Sequence, residues 1–383
     1  MTANSRWHVG LGRRRVLATG TLAAAGHLIG CNGMGGLAAG GEMTLPLTDP
    51  ERPPSRGPFT GGLVQAIAWS PDGRRLAASA EGIRPLHLWD AATGAVVARV
   101  PRGQTTSNAV AFTRDGRHLL ATLQKQPIGQ GTYAFSVLDA ATGAEMQEVR
   151  DGLSPGAGGG AQRLALSPDG RWAAAMFDPN HVAVYATDGW AVVGGFGLGR
   201  WFIGRGLAFS PDGERLAVVG FRGGGTPNPA RGRLEVWSWR TGERVLEVPV
   251  FPHGLSAVAW QPGGEAVAVA TGGRVTVLPD GRSAPFEDRV VLLDARTGER
   301  RQVWRWATDE ASAEALDWAP DGRRLAVAAD GRDGVVRVVM PGSEAAAGVG
   351  ARTARAACHA VAFAPDGQRV AFGNVSAVRV AGL

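Results

Sequence analysis

Nucleophilic, acid–base or metal chemistry in this chain would fall to seven histidines and two cysteines, with whatever carboxylates could approach them. His87 and His118 lie in segments that alternate like strands, and His8 and His27 lie near the N-terminus. His181, His253 and His359 fall beside irregular connections far apart in sequence, so they form a metal site only if the fold makes them converge. Asp178-Pro179-Asn180-His181 is rich in donor atoms but is broken by proline and lacks a bidentate carboxylate. Cys358 opens an apolar strand and reads as a small buried hydrophobe. No Gly-x-Ser-x-Gly elbow is read, so no catalytic residue, metal ligand or cofactor site is assigned. Recognition is the better-supplied chemistry, because aromatic and arginine side chains dominate interface hot spots. Arg102, Tyr133, Trp201, Phe202, Arg222, Phe251 and His253 are the candidate partner-binding residues, with Arg200 and Arg205 close by.

The elements that must hold these residues repeat seven times. Ser70-Pro71-Asp72-Gly73 recurs as Thr113 to Gly116, Ser167 to Gly170 and Ser210 to Gly213. It returns as Gln261 to Gly264, Ala319 to Gly322 and Ala364 to Gly367. Pro presets a turn and Asp-Gly favours the left-handed geometry that closes a hairpin. Each turn follows a large–small–large triplet such as Ile67-Ala68-Trp69 or Val258-Ala259-Trp260, the period-two pattern of a strand. An apolar strand follows the turn, and a third strand comes next, as in Leu86 to Asp90. Four units then turn through Thr-Gly, at Thr93, Thr142, Thr241 and Thr297, into a fourth strand. Four short antiparallel strands repeated seven times describe an all-β, seven-bladed β-propeller over residues 63–383.

Over that span the sequence resembles the bacterial WD-repeat and TolB-type Pro-Asp-Gly propellers. Trp89-Asp90 preserves the name-giving dipeptide, with Leu138-Asp139 and Leu293-Asp294 as variants, and no unit carries the usual Gly-His. The seventh unit ends after its third strand, and an open edge there would be a liability. The strand-like segment 43–47 is therefore expected to supply the missing outer strand, with Pro46 tolerated at an edge. The Pro-Asp-Gly and Thr-Gly turns share one face, whereas the connections that vary in length share the other, where repeat proteins place their binding surfaces. The expected function is a noncatalytic scaffold that binds a protein or cell-envelope ligand through that face. The alternative is a hydrolase similar to the lactonases, with carboxylates and His181 or His253 at the channel mouth. The Thr-Gly turns also resemble those of pyrroloquinoline-quinone dehydrogenases, but Ala98, Gln147 and Gln302 replace the docking tryptophan, so no cofactor is expected.

Residues 1–30 read as an export signal, with an arginine cluster, a mildly apolar stretch and no acidic residue before Glu42. Arg13 and Arg14 ahead of Val16-Leu17 resemble the twin-arginine signal, and Leu28-Ile29-Gly30-Cys31 resembles the bacterial lipobox. That resemblance implies a diacylated Cys31 as the new N-terminus, each buried methylene contributing about 0.8 kcal/mol to anchoring. Residues 31–62 would then hold the anchor, a Gly- and Pro-rich tether and the closing strand. The expected location is extracytoplasmic, on a membrane, as a monomer. The same reading disposes of the charge of +6 and pI near 10.4, since four arginines leave with the signal and 36 basic residues then face 34 acidic ones. Lys125 is the one lysine, so little titrates between neutral pH and the arginine range. The arginines are scattered among acids rather than gathered in a stripe, and no nucleic-acid partner is expected.

Overall fold

Each Pro-Asp-Gly segment closes because its residues meet different demands. The computed structural model describes residues 42–47, 63–80, 85–100, 109–123, 133–151, 153, 160–177, 181–199, 202–222, 232–251, 254–272, 290–305, 312–330, 336–344, 346–349, 358–373 and 377–383. In the first turn Ser70 Oγ donates to Asp72 Oδ1 at 2.6 Å, and that oxygen also accepts the Arg74 N–H at 3.0 Å. Gly73 N donates back to Ser70 O at 2.9 Å from a left-handed backbone, φ 70°. The equivalent glycine makes the same bond in all seven turns, with φ between 66° and 80°. A β-carbon at these positions would be strained whatever the space around it.

The second regular turn rests on a carboxylate. Asp90 Oδ1 accepts the N–H groups of Ala92 and Thr93 and the Thr93 hydroxyl, at 3.1, 2.9 and 2.8 Å. Asp139 and Asp294 do the same for their turns. These bonds hold all three carboxyls below the usual range, led by the Thr93 and Thr297 amides at Asp90 and Asp294 and by the Thr142 hydroxyl at Asp139. Blade 3 lacks the motif yet still turns. Trp190 takes the place of the glycine at φ 62°, donates its N–H to Ala186 O at 3.0 Å, and sets its ring edge-on against Phe135. Packing on the neighbouring blade compensates a backbone that bulky residues avoid.

The result is seven four-stranded antiparallel sheets. Six run continuously in sequence, over residues 64–100, 110–150, 161–197, 202–251, 255–304 and 312–349. The seventh comprises Ala360–Phe363, Arg369–Gly373 and Ala377–Gly382, and takes its outer strand from Glu42–Pro46. Met43 lies opposite Val380 and Leu45 opposite Val378, as the unpaired edge required. The first strand of every blade packs against the first strands of its two neighbours, so these strands form the inner ring around a central channel. The core lies between blades, where bulky residues of one sheet meet alanines of the next. Trp69, Leu76 and Trp89 of blade 1 share a cluster with Ala360, Ala362 and Ala371 of blade 7. Among the described residues no helix is long and apolar enough to cross a membrane.

Side chains also tie blade to blade. On the face of the regular turns (the lower face), Asp366 holds Arg369 at 2.9 Å, and that guanidinium lies 4.9 Å over the Trp69 ring of the next blade. Asp321–Arg324–Phe363 and Asp212–Arg215–Trp260 repeat the arrangement. Such contacts contribute about 0.5–1 kcal/mol each at exposed sites. Deeper in, the Trp69 and Trp318 indoles donate to Ala362 O and Ala259 O, both at 3.2 Å, and satisfy carbonyls on the open edge of the neighbouring inner strand.

Candidate functional site at the channel mouth

Inner strands leave regular pairing where they approach the upper face. Five of them shift register there, at Val64/Ala66, Ala161/Arg163, Gly204/Gly206, Leu255/Ala257 and Ala313/Ala315. Bulges of this kind re-aim side chains and cluster near functional sites. The residue skipped in each shift is polar: Gln65, Gln162, Arg205, Ser256 or Glu314. The equivalent residue of blade 7 is His359, and that of blade 2 is Asn108, which lies outside the described residues. Every unit thus carries a polar residue five places before its regular turn, amid strands that are otherwise almost wholly apolar.

Arg163 lies beside this column, one place after Gln162 and paired opposite Met176. It is 2 % exposed, with Nε donating to Arg205 O and Nη1 to Gln162 O, both at 2.6 Å. Burial pushes its pKa down to about 9, assisted by the nearby Arg205 charge and opposed by Glu314. Arg163 is in blade 3 and Glu314 in blade 6, on the far side of the ring, so their fields meet across the channel. Glu314 accepts the Ser312 hydroxyl through Oε1, and Ser256 donates to Ala313 O of the neighbouring blade. Gly272 permits this crowding, since a β-carbon there would come within 3.1 Å of Glu314 Oε1 and 3.0 Å of Ser256 Oγ. Gln65 is 1 % exposed, and neither end of its amide finds a hydrogen-bond partner among the described residues. Among the described residues, this column and the neighbouring Arg163 carry two guanidiniums, one carboxylate and an amide without a hydrogen-bond partner.

The residues singled out from sequence are placed differently. Tyr133, Arg222 and Phe251 sit at strand ends on the upper face, the first opening the third strand of blade 2 and the others ending strands of blade 4. Arg102, Trp201 and His253 lie outside the described residues, as do Arg13, Arg14 and Cys31. Phe202 needs correction as a surface anchor. The inner strand of blade 4 is eight residues long and begins at Phe202, whose ring is 4 % exposed in a cluster with Met176, Phe196 and Leu198. Cys358 is buried, with its thiol toward Ala360 O.

His181 also departs from the lactonase-like expectation. It opens the third strand of blade 3, two strands out from the channel. Its Nε2 lies 2.8 Å from Asp151 Oδ2, and its ring stacks on Phe177 at 4.6 Å. Asp151 is followed by Gly152-Leu153-Ser154-Pro155-Gly156, a Gly-x-Ser-x-Gly string. The hydrolase elbow needs that string between a strand and a helix. Ser154 lies outside the described residues, which contain no helix. Among the described residues no three His, Cys, Asp or Glu side chains group to hold a metal ion.

No protein-family profile and no curated protein matches the sequence. Solved structures share the fold. The β-propeller domain of Myceliophteria thermophila Cps50 (Swd1) superposes with a TM-score of 0.62 at 13 % identity, covering 84 % of this chain and 96 % of that one. Kuenenia stuttgartiensis hydrazine synthase superposes with a TM-score of 0.67 at 18 % identity, over 86 % of this chain and 98 % of that one. Identities this low show the propeller architecture and nothing about activity.

Proposed function

We propose that this propeller is an exported, lipid-anchored binding module that recognises a protein or cell-envelope ligand through its upper face, without catalysis. One observation carries the reading: regular, hydrogen-bonded turns occupy one face, and every connection of irregular length leaves from the other. A rigid ring built this way presents variable loops on a fixed frame, so binding orders little of the scaffold and wastes little entropy. Tyr133, Arg222 and Phe251 at strand ends of that face, with Arg102, Trp201 and His253 in its connections, supply the aromatic and cationic groups that anchor interfaces. Anchoring through Cys31 would hold the ring beside a membrane and raise the local concentration of a ligand there.

The recognition test uses crosslinking and pull-down from cell-envelope extract with the full chain and a Trp201→Ala, Phe251→Ala variant. The expected result is loss of about tenfold or more in partner recovery, the size set by hot-spot aromatics. Equal recovery by both proteins sinks the interface assignment. Anchoring is tested separately, by fractionating cells that express Cys31→Ser. The substituted protein should leave the membrane fraction, and unchanged detergent-dependent extraction would falsify the lipid anchor.

A further inference from the structure

The repeated turns of the lower face show what one of them lacks. Asp72, Asp169, Asp212, Asp321 and Asp366 each bring Oδ2 within 2.5 to 3.9 Å of an arginine nitrogen of their own turn. In blades 4, 6 and 7 that arginine stands three places after the aspartate and lies over an aromatic ring of the next blade. Blade 5 lacks both partners, with Gly263 and Ala266 at the two positions. Asp115 of blade 2 is the exception, a carboxylate that is kept while its arginine is not. His118 stands three places after it, Leu166 of blade 3 stands where the ring would be, and among the described residues no guanidinium reaches Asp115 within ion-pair distance. At this seam a cleft of about 450 Å³ lies between the turns of blades 2 and 3, lined by Thr113, Arg114, Asp115, His118, Asp169 and Thr187.

We propose that this cleft binds the guanidinium of an external ligand, which takes the place on Asp115 that the chain's own arginines take on the other turns. A guanidinium brings N–H donors in a planar fork that matches a carboxylate, and the lining directs its own donors elsewhere. The Thr113 hydroxyl donates to Asp115 Oδ1 at 2.6 Å, and the Thr187 hydroxyl donates to Gly170 O at 2.7 Å. Arg114 turns Nη1 across the seam to Pro168 O, and Asp169 is held by Arg171. Asp115 Oδ2 and the His118 ring accept no hydrogen bond among the described residues, so the acceptors are open. The carboxylate is also fixed before a ligand arrives. Thr113 is 5 % exposed, and its hydroxyl and the Arg117 N–H hold Asp115 Oδ1 at 2.6 and 3.0 Å. Burial raises the Asp115 carboxyl, but those two hydrogen bonds outweigh it and hold the group below its ordinary value, ionised at neutral pH. The site lies on the lower face and does not depend on what the upper face binds.

The test is calorimetric titration of the full chain near neutral pH with N-acetyl-arginine amide, N-acetyl-lysine amide and a blocked Gly-Arg-Gly peptide, all as chlorides at matched ionic strength. Both arginine probes should saturate, with half-saturation at or below about 10 mM, and the lysine probe should bind about fivefold or more weakly. Asp115→Asn keeps the acceptor for the Thr113 hydroxyl and the Arg117 N–H and should fold. Its half-saturating arginine concentration should rise about tenfold, the effect of one lost charged contact. His118→Arg supplies the side chain that blades 4, 6 and 7 carry at this position, so it should fold, fill the cleft and abolish arginine binding. Tighter binding of the peptide than of the arginine amide assigns the site to an arginine of a partner chain, and equal binding assigns it to a free guanidino compound; both uphold the guanidinium. No saturation with either arginine probe overturns the proposal, as does an unchanged half-saturation in either variant. A lysine probe that binds as well as arginine overturns the guanidinium assignment.

Discussion

Leu45→Asp should destabilise the protein by about 3–5 kcal/mol or more and convert a closed ring into an open, aggregation-prone one. Leu45 is 1 % exposed, pairs opposite Val378, and joins the cluster that seals blade 7 against blade 1. A β-carbon on Gly94 of blade 1 would touch Leu45 Cδ2 at 3.1 Å and Met43 Sδ at 3.2 Å, so this strand packs on both sides of the seam. Truncating a buried leucine alone costs about 2–5 kcal/mol, and a carboxylate put in its place must also be desolvated. Detaching the strand then leaves Ala377–Gly382 as an unpaired edge. Urea unfolding followed by tryptophan fluorescence reads the stability, and light scattering at the midpoint reads the exposed edge. The control is Glu42→Ala. Glu42 joins Arg379 at 2.7 Å on the same strand, but the pair is partly solvated and should contribute no more than about 1 kcal/mol. If Leu45→Asp unfolds like the control, closure by this segment is not what holds the ring together.

That closing strand was readable because a four-strand unit repeated seven times left one strand missing and one strand-like segment unassigned. The turns were readable for a similar reason: Pro, Asp and Gly each perform a local task, so the sequence reports them without knowledge of the rest of the fold. The channel collar is a different kind of signal. It consists of a single polar residue per unit, Gln65, Gln162, Arg205, Ser256, Glu314 and their counterparts, each at the border between an irregular connection and a strand. Polar residues are expected at such borders, and their common meaning appears only when the ring brings the described ones to matching places on their inner strands. Aligning the units on the regular turn and reading five places back would have exposed the column. Phe202 shows the opposite failure. Its hydrophobicity was visible, but whether it faced solvent or core depended on where the inner strand of blade 4 begins, and strand ends are weakly marked. Trp190 was unreadable as a turn residue, because its left-handed backbone is held by Phe135 of the neighbouring blade.

The same comparison of units isolates Asp317, which occupies a position held by Ala68, Ala111, Ala165, Ala208, Ala259 and Ala362 in the other six. It is 4 % exposed and accepts the Phe363 N–H of blade 7 at 2.6 Å. Burial drives its carboxyl well above the ordinary value, and the N–H groups of Phe363 and Trp318, which favour the ionised form, do not offset it. Folding therefore takes up a proton at Asp317 in the window between the unfolded carboxyl value, near 4, and the raised folded one. The stabilisation from this group is complete below pH of about 4 and declines as pH rises through that window. Asp317→Asn keeps the shape and the acceptor for Phe363 and removes the titration. The variant should match the parent at low pH and exceed it increasingly toward neutral pH, by up to about 1.4 kcal/mol per unit within the window. Urea unfolding of both proteins across pH 4 to 8 reads the difference directly, because all other titrating groups are common to the pair. Parallel stability curves would mean that solvent reaches Asp317 and that burial is not the governing cause. A difference that grows with pH would make Asp317 a standing cost of this interface at neutral pH. The aspartate would then be held between blades 6 and 7 for the inner-strand amide it occupies rather than for the stability it supplies.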